Sequence, residues 1–416
     1  MYGYKAKKIV IIGGGFGGIR AALDLTKRNI PDTKIILISD KLYFEYQPAL
    51  YRVVTGYSPL EACIPLQVIF EKTDVEVLED TIIAVDLQSK KLFGKSNSQY
   101  SFDFLVLAFG SETNYFDIPG LKEFSFGFKS VQEALRLKKH LHEVFEACII
   151  SETDKEEDIC RAHIVIIGGG ASGAELAGQL AIYTKILAKK HKLDSSLITI
   201  DLIEAASRLL PTLPEDVSIK IQKRLRSLGV NILLNRSVIK EEIETVYLQD
   251  IKMKTKTVIW TAGVKPNHLY SEIKGLLFDK KGRVIVDEFL QAKGFDNIFI
   301  LGDAAATPYA GMAQTAICDG SFIANIIMKK IYGQSLEPYN PSKPFYVIPV
   351  GVAWAAVIIG KLKFYGLIGW WLRRLADLRF FFSILSLRKA FLAYQSGKAL
   401  CESCKICSLE NKSLVG

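Results

Sequence analysis

The chain has 416 residues, with 53 Lys and Arg against 44 Asp and Glu, a formal charge of +9 and a mean hydropathy of +0.20. At roughly 100–200 residues per domain this length implies two or three domains with real cores, which excludes peptide-like, disordered and disulfide-stapled architectures. Hydrophobic side chains make up 49% and charged ones 23%, and the basic excess would suit nucleic acid or an anionic membrane equally, so its location decides between them.

The N-terminal MYGYKAKKIVIIGGG enters a short apolar run and meets glycines without the long apolar region or cleavage site of a secretory signal. Residues 8–12, KIVII, predict a strand that leads into GGGFGG, where Gly13, Gly15 and Gly18 occupy the G-x-G-x-x-G positions around Phe16 and Gly17. IRAALDLTKR behind them predicts a helix. In that context the first glycine makes the turn, the second admits a pyrophosphate to the backbone and the third lets helix and strand pack, while the helix N-terminus supplies positive potential. A second strand, KIILIS, ends at Ser39 and Asp40, where a ribose-binding carboxylate belongs. FDFLVLAFGSETNYFDIPG (102–120) then predicts a strand and a small-residue turn, suited to a backbone passing close to a flat ligand.

The pattern returns at 163–173, where HIVII runs into GGGASG (Gly168, Gly170, Gly173) and a helical AELAGQLAIYTKILAKK. Its second strand, LITIDLIE, ends in Glu204. VIWTAGVKPN (258–267) is a further strand and turn, and NIFILGDAA (297–305) is a buried strand finishing on Gly302 and Asp303. One such glycine motif is weak evidence, but two in strand-turn-helix context imply two dinucleotides, commonly a flavin with a nicotinamide. The longest charge-free stretch, residues 345–360, contains Pro349 and two glycines and reads as sheet strands before a membrane span. The seven cysteines are odd in number and mostly scattered, as expected of reduced thiols in a cytoplasmic protein.

Residues 361–398 hold eight cations and one anion, a net of +7, which leaves +2 for everything else. At 100° per residue, Leu367, Trp371, Leu375, Leu378, Phe382 and Leu385 form one apolar stripe, with Arg373, Asp377 and Arg388 pointing away from it. Phe380 and Ile384 interrupt the polar face, so two helices meeting near Ser383 fit as well as one. An amphipathic, basic and Trp-rich segment is the signature of a helix lying in a membrane interface, and its aromatics are not spaced as nucleic-acid stacking platforms. A core or dimerisation helix is the alternative. The terminal CESCKIC sets Cys401, Cys404 and Cys407 at C-x2-C-x2-C, an incomplete ligand set without a fourth Cys or a nearby His, so no metal site is assigned.

GGGFGG, YFEYQPALYRVVTG (43–56), LVLAFGSETNYF, GGGASGAELAG, IEAASRLLPTLPE, WTAGVKPN, ILGDAA, AGMAQTA (310–316) and the aromatic-basic C-terminal stretch resemble the flavoprotein pyridine-nucleotide oxidoreductases. More narrowly they look like the type II NADH dehydrogenases, single-subunit and non-pumping NADH:quinone oxidoreductases, over nearly the whole chain to about residue 398. The resemblance implies an α/β fold with two Rossmann-like domains, the FAD domain interrupted by the NAD domain. The expected division is 1–120 and 286–340 for FAD, 121–285 for NADH, 341–400 for C-terminal strands and amphipathic membrane-interface helices, and 401–416 for a Cys-containing tail.

By the same resemblance Gly13, Gly15 and Gly18 hold the FAD pyrophosphate, Asp303 the ribityl chain, and Pro48, Ala108 and Gly110 line the isoalloxazine region. Gly168, Gly170, Gly173 and Glu204 bind NADH, with Gly263 near the nicotinamide. A carboxylate at Glu204 favours NADH over NADPH by repelling a 2′-phosphate, and Arg208 is the cation that would soften this preference. Ala313 and Gln314 match a pair beside the flavin where the quinone head arrives, and Lys361 or Lys363 matches a basic residue close to the flavin. Glu175 is expected to act as a hydrogen-bonding acid. The implied reaction passes a hydride from NADH to FAD and two electrons on to a membrane quinone, on the cytoplasmic side of a cell membrane, with an anionic lipid surface as a further partner and a homodimer left open.

Three departures stand out. The FAD-ribose acid falls at Ser39 with Asp40 one place late, the second acid of the GAELAG helix is Gln179, and the glutamines after the AQ pair are Cys318 and Asp319. A reductase of a ferredoxin or rubredoxin type acceptor, or a sulfide:quinone reductase-like enzyme, is the alternative function. Against the latter, the second glycine region lacks a cysteine, and Cys318 reads as a packed thiol.

Overall fold

The computed structural model describes residues 6–150 and 162–396. The first apolar run forms β1 (Lys7–Ile12), buried along its last four residues because both faces of its sheet are covered. α1 (Phe16–Thr26) follows directly, and β2 (Thr33–Ser39) returns parallel to β1 in register from Lys7 with Thr33 to Ile12 with Ile38. After the short α2 (Leu50–Val54), β3 (Glu76–Glu79) extends the sheet beyond β2, and β4 (Phe104–Leu107) pairs with the other edge of β1.

The second sheet repeats the plan. β5 (Phe126–Gly127), α3 (Val131–Ile150), β6 (His163–Ile167), α4 (Ala171–His191), β7 (Thr199–Ile203), α5 (Glu215–Leu228), β8 (Val230–Leu233) and β9 (Thr257–Trp260) build a parallel sheet of order β5-β9-β6-β7-β8. A three-stranded antiparallel sheet of residues 238–254 precedes β9. The chain then re-enters the first sheet through β10 (Ile298–Ile300), which pairs with β4 and completes the order β10-β4-β1-β2-β3. This is an α/β protein with two Rossmann-like sheets, the first interrupted by the second. α6 (Ala313–Ile331) packs along α1, closely enough that a Cβ on Gly17 would lie 2.9 Å from the Ala316 carbonyl oxygen.

Between the sheets runs a two-stranded antiparallel ribbon, Ser111–Thr113 against Val264–Pro266. Beyond α6, the charge-free stretch forms β11 (Tyr346–Pro349) and β12 (Ala355–Ile359), as its composition predicts, and β13 (Leu362–Phe364) follows as the third antiparallel strand. α7 (Gly366–Ile384) lies on β12, with Gly369 so near it that a Cβ there would sit 2.1 Å from the Ala355 carbonyl oxygen, and α8 (Leu387–Ser396) follows after a break at Leu385 and Ser386.

The stripe on α7 faces outward. Leu367, Trp371 and Leu375 are 57%, 56% and 58% exposed, and Leu387, Phe391 and Leu392 continue the exposed apolar surface on α8. Arg373, Arg374 and Asp377 do point away from the stripe, but into the protein, where all three are buried. The basic surplus therefore changes meaning. Arg373 pairs with Asp377, Arg374 with Glu61, Lys363 with Asp216 and Lys389 with Glu71, so half of the eight cations are neutralised internally, while Lys361, Arg379 and Arg388 are exposed. Among the described residues no helix is long and apolar enough to cross a membrane. Lys398 and the cysteines at 401, 404 and 407 lie outside the described residues.

Candidate functional site

Both glycine turns sit at the carboxyl end of a parallel sheet, where ligands bind in open α/β folds. Gly13 donates to the Ile38 carbonyl at 2.8 Å, and Ala108 donates to the Ile12 carbonyl at 2.9 Å, which brings the ends of β1, β2 and β4 together. A Cβ on Gly18 would lie 2.0 Å from the Gly13 carbonyl oxygen, whereas one on Gly15 would meet nothing within 4 Å. The helix is thus pressed onto the turn while the middle glycine opens outward. No side chain caps the N-terminus of α1, so its amide donors remain for an anion. This cradle fits the pyrophosphate of FAD. Gly18→Ala should therefore yield purified protein without bound flavin by absorbance, because backbone oxygen cannot move aside for the methyl group.

The second turn has the same construction. A Cβ on Gly173 would lie 1.9 Å from the Gly168 carbonyl oxygen, Gly170 faces open space, and α4 carries no side-chain cap. A cavity of about 570 Å³ opens there, lined by Gly168, Gly170, Glu204, Arg236 and Trp260 among others, a size that suits a dinucleotide portion. Glu204 Oε2 accepts from the Gly169 amide at 2.7 Å and Oε1 from the Ala206 amide at 2.8 Å, which holds the carboxylate over the turn. Gly168 donates to the Ile203 carbonyl as Gly13 does to that of Ile38, so Ser39 is the positional equivalent of Glu204. Ser39 is buried beside the first turn, and Asp40 is exposed beyond it. The Arg208 side chain donates to the carbonyls of Pro211 and Leu213 at 2.7 and 2.8 Å.

The ribbon joins the two turns' far ends. Asn267 donates to the Gly110 carbonyl at 3.2 Å, and Asn114 to that of Gly263 at 3.0 Å. Beside it, Ser111 donates to the Asp303 carboxylate and Lys129 donates to Ser111, a contact that the sequence reading missed. Burial pulls the Lys129 ammonium below its ordinary value against the attraction of Asp303. Asp303 sits in a single 3-10 turn, Gly302–Ala304, and the next helix, α6, begins at Ala313. Gln314 Oε1 accepts from the Phe345 amide at 3.2 Å. Asp319 is buried and accepts from the Gly302 amide at 2.9 Å and from the Tyr339 hydroxyl; burial pushes its carboxyl up to about 6. Cys318 is half-buried near Tyr339.

Glu175 on α4 faces a group of side chains brought from the C-terminal helix. Burial pushes its carboxyl up to about 8, with Arg373 pulling down and Asp377 pushing up. Arg373 donates to Asp377 and, at 3.0 Å, to the Pro48 carbonyl, while the Tyr46 hydroxyl also donates to Asp377. Burial drives the Tyr46 phenol well above its usual value and that of Tyr51 to about 12, so both stay protonated. Glu61 bridges Arg52, at 2.6 Å, and Arg374, at 3.3 Å. The cation that reaches the Pro48 loop is therefore Arg373. Lys361 is exposed on the turn between β12 and β13, and Lys363 is held by Asp216 on α5 at 2.6 Å.

Two phosphate-ready turns on two sheets, fastened by one ribbon, define a flavoprotein oxidoreductase of the two-dinucleotide class. The family profile of the pyridine nucleotide-disulphide oxidoreductases matches residues 7–320. The type II NADH:quinone oxidoreductase NdhA of Mycobacterium tuberculosis is 30% identical over 386 residues, covering 87% of this chain and 81% of that protein. A type II NADH:quinone oxidoreductase of Staphylococcus epidermidis is 26% identical over 406 residues, covering 94% and 98%. The structure of NDH2 from Plasmodium falciparum in complex with NADH shares the fold, with a TM-score of 0.86 over 94% of this chain and 98% of that one at 18% identity. The chain belongs to the type II NADH:quinone oxidoreductases within the pyridine nucleotide-disulphide oxidoreductase family.

Proposed function

We infer that this protein is an FAD-dependent NADH:quinone oxidoreductase that works without pumping protons, at the surface of a membrane. The observation that carries the reading is the pair of glycine cradles whose carboxyl-end loops are tied together by the 111–113 and 264–266 ribbon. FAD, when bound, supplies acceptance of a hydride from NADH and return of two electrons to the quinone. The protein's part is to bind, orient and manage protons. The first turn receives the flavin nucleotide's pyrophosphate and Asp303 its ribityl hydroxyls; the second turn receives that of NADH, with Glu204 at the ribose. Pro48, Ala108, Gly110, Ala313 and Gln314 line the flavin side, and Gly263 the nicotinamide side. Glu175 holds a proton at neutral pH beside the site, and Arg373 supplies a fixed positive charge at the Pro48 loop, the role for which the resemblance offers Lys361 or Lys363.

The outward apolar face of α7 and α8 gives a lipid-dissolved quinone its approach, and we assign the peripheral site to the cytoplasmic leaflet, where NADH and reduced thiols belong. Because four of the C-terminal cations already have internal acids, apolar insertion outweighs charge in this docking. Flotation with vesicles should persist at high salt and differ little between neutral and anionic lipid. The combined change Leu367→Ser, Trp371→Ser and Leu375→Ser should abolish it. The function is tested by NADH oxidation with a short-chain quinone against a ferredoxin-type acceptor. A protein that fails to float, preferring the protein acceptor, would be a soluble reductase instead.

A further inference from the structure

Glu204 is not the only charged side chain at the ribose end of the second cavity. The backbone stitches a second loop onto it: Asn235 donates to the Ala206 carbonyl and Arg236 to that of Glu204, both at 3.1 Å. Asn235 turns the chain there with φ of 55°. Arg236 and Ser237 consequently line the same cavity as Glu204. The Arg236 side chain is diverted, however. Its Nε lies 2.9 Å from the Asp250 carboxylate, and its Nη1 donates to the Asn235 carbonyl at 3.2 Å.

We propose that Arg236 is a second determinant of nicotinamide-dinucleotide choice, a guanidinium within reach of a ribose 2′-phosphate that Asp250 holds engaged so that Glu204 alone sets the preference for a free 2′-hydroxyl. The inference rests on the assignment of this cavity to NADH. Guanidinium offers the planar donor fork that phosphate accepts. Asp250 competes for that fork with a partly exposed ion pair, a contact of small net worth, so the tether is weak enough to yield. Rejection of the 2′-phosphate is then a balance of two carboxylates against one cation.

The test uses the full-length holoprotein. Equilibrium binding of adenosine 2′,5′-bisphosphate and of AMP, read by calorimetry, is combined with kcat/KM for NADPH and NADH. Glu204→Gln should improve the bisphosphate-to-AMP affinity ratio by about ten- to a hundredfold, the worth of a charge-assisted contact. Asp250→Asn should move the ratio in the same direction by a smaller factor. Adding Arg236→Gln to Glu204→Gln should erase the gain, and Arg236→Lys should retain part of it. The proposal is overturned if Glu204→Gln with Arg236→Gln keeps the full gain, or if Asp250→Asn lowers the ratio. Failure of wild-type protein to bind AMP competitively with NADH would sink the cavity assignment itself, a separate outcome from either.

Discussion

Replacing Glu175 with Gln lowers NADH:quinone turnover by about a hundredfold, the low end of what a positioned proton donor contributes, and leaves the protein fully loaded with FAD. The wild-type rate should be level below the carboxyl's value of about 8 and fall above it, because the protonated form is the donor. In Glu175→Gln that falling limb disappears. Unchanged kinetics with both substrates and an unchanged profile would remove Glu175 from the mechanism. Stability carries the same sign. Between the ordinary carboxyl value of 4.5 and about 8, the unfolded chain has released this proton while the fold keeps it, so stability falls as pH rises through that window. Glu175→Gln should flatten this part of the stability curve.

Arg373→Met destabilises the protein by about 3–5 kcal/mol, since it strands Asp377 as a buried carboxylate with one cation fewer. Denaturant unfolding measures it, and Arg373→Lys should recover part of the loss. The same side chains act on Glu175 with opposite signs. Removing Arg373 moves the falling limb of the rate profile to higher pH; Asp377→Asn, which removes the repelling charge, moves it lower. Tyr51 from α2 and Tyr46 also act in this cluster, and both phenols stay protonated throughout. Shifts of the same sign from both variants would mean that the cluster only holds the helix in place.

The parts legible in sequence are those written in consecutive residues. KIVII and HIVII are short β-branched runs whose glycines must follow at fixed spacing, so strand, turn and helix declare themselves, and Glu204 falls where its strand ends. Period 3.6 likewise gives the stripe on α7. Periodicity does not say which side of a helix meets the protein. That is settled by Tyr46 and Pro48, more than three hundred residues earlier, which partner Asp377 and Arg373. Lys361 and Lys363 looked equivalent on paper, but one lies on an exposed turn and the other meets Asp216, 147 positions away. Arg236 was hidden for a related reason. It comes from the loop after β8, and only the backbone bonds to Glu204 and Ala206 bring it to the cavity that Glu204 lines.

The ribbon between Ser111–Thr113 and Val264–Pro266 bears on how the two cofactor halves can move. Its ladder continues at either end through Asn267 to Gly110 and Asn114 to Gly263, the positions flanking the proposed flavin and nicotinamide. Any opening between the two sheets must bend, twist or break this ladder, because the loops at both turns are hydrogen-bonded through it. Amide hydrogen exchange should register this as one event: the ribbon's amides should open together, with no faster partial mode on either strand.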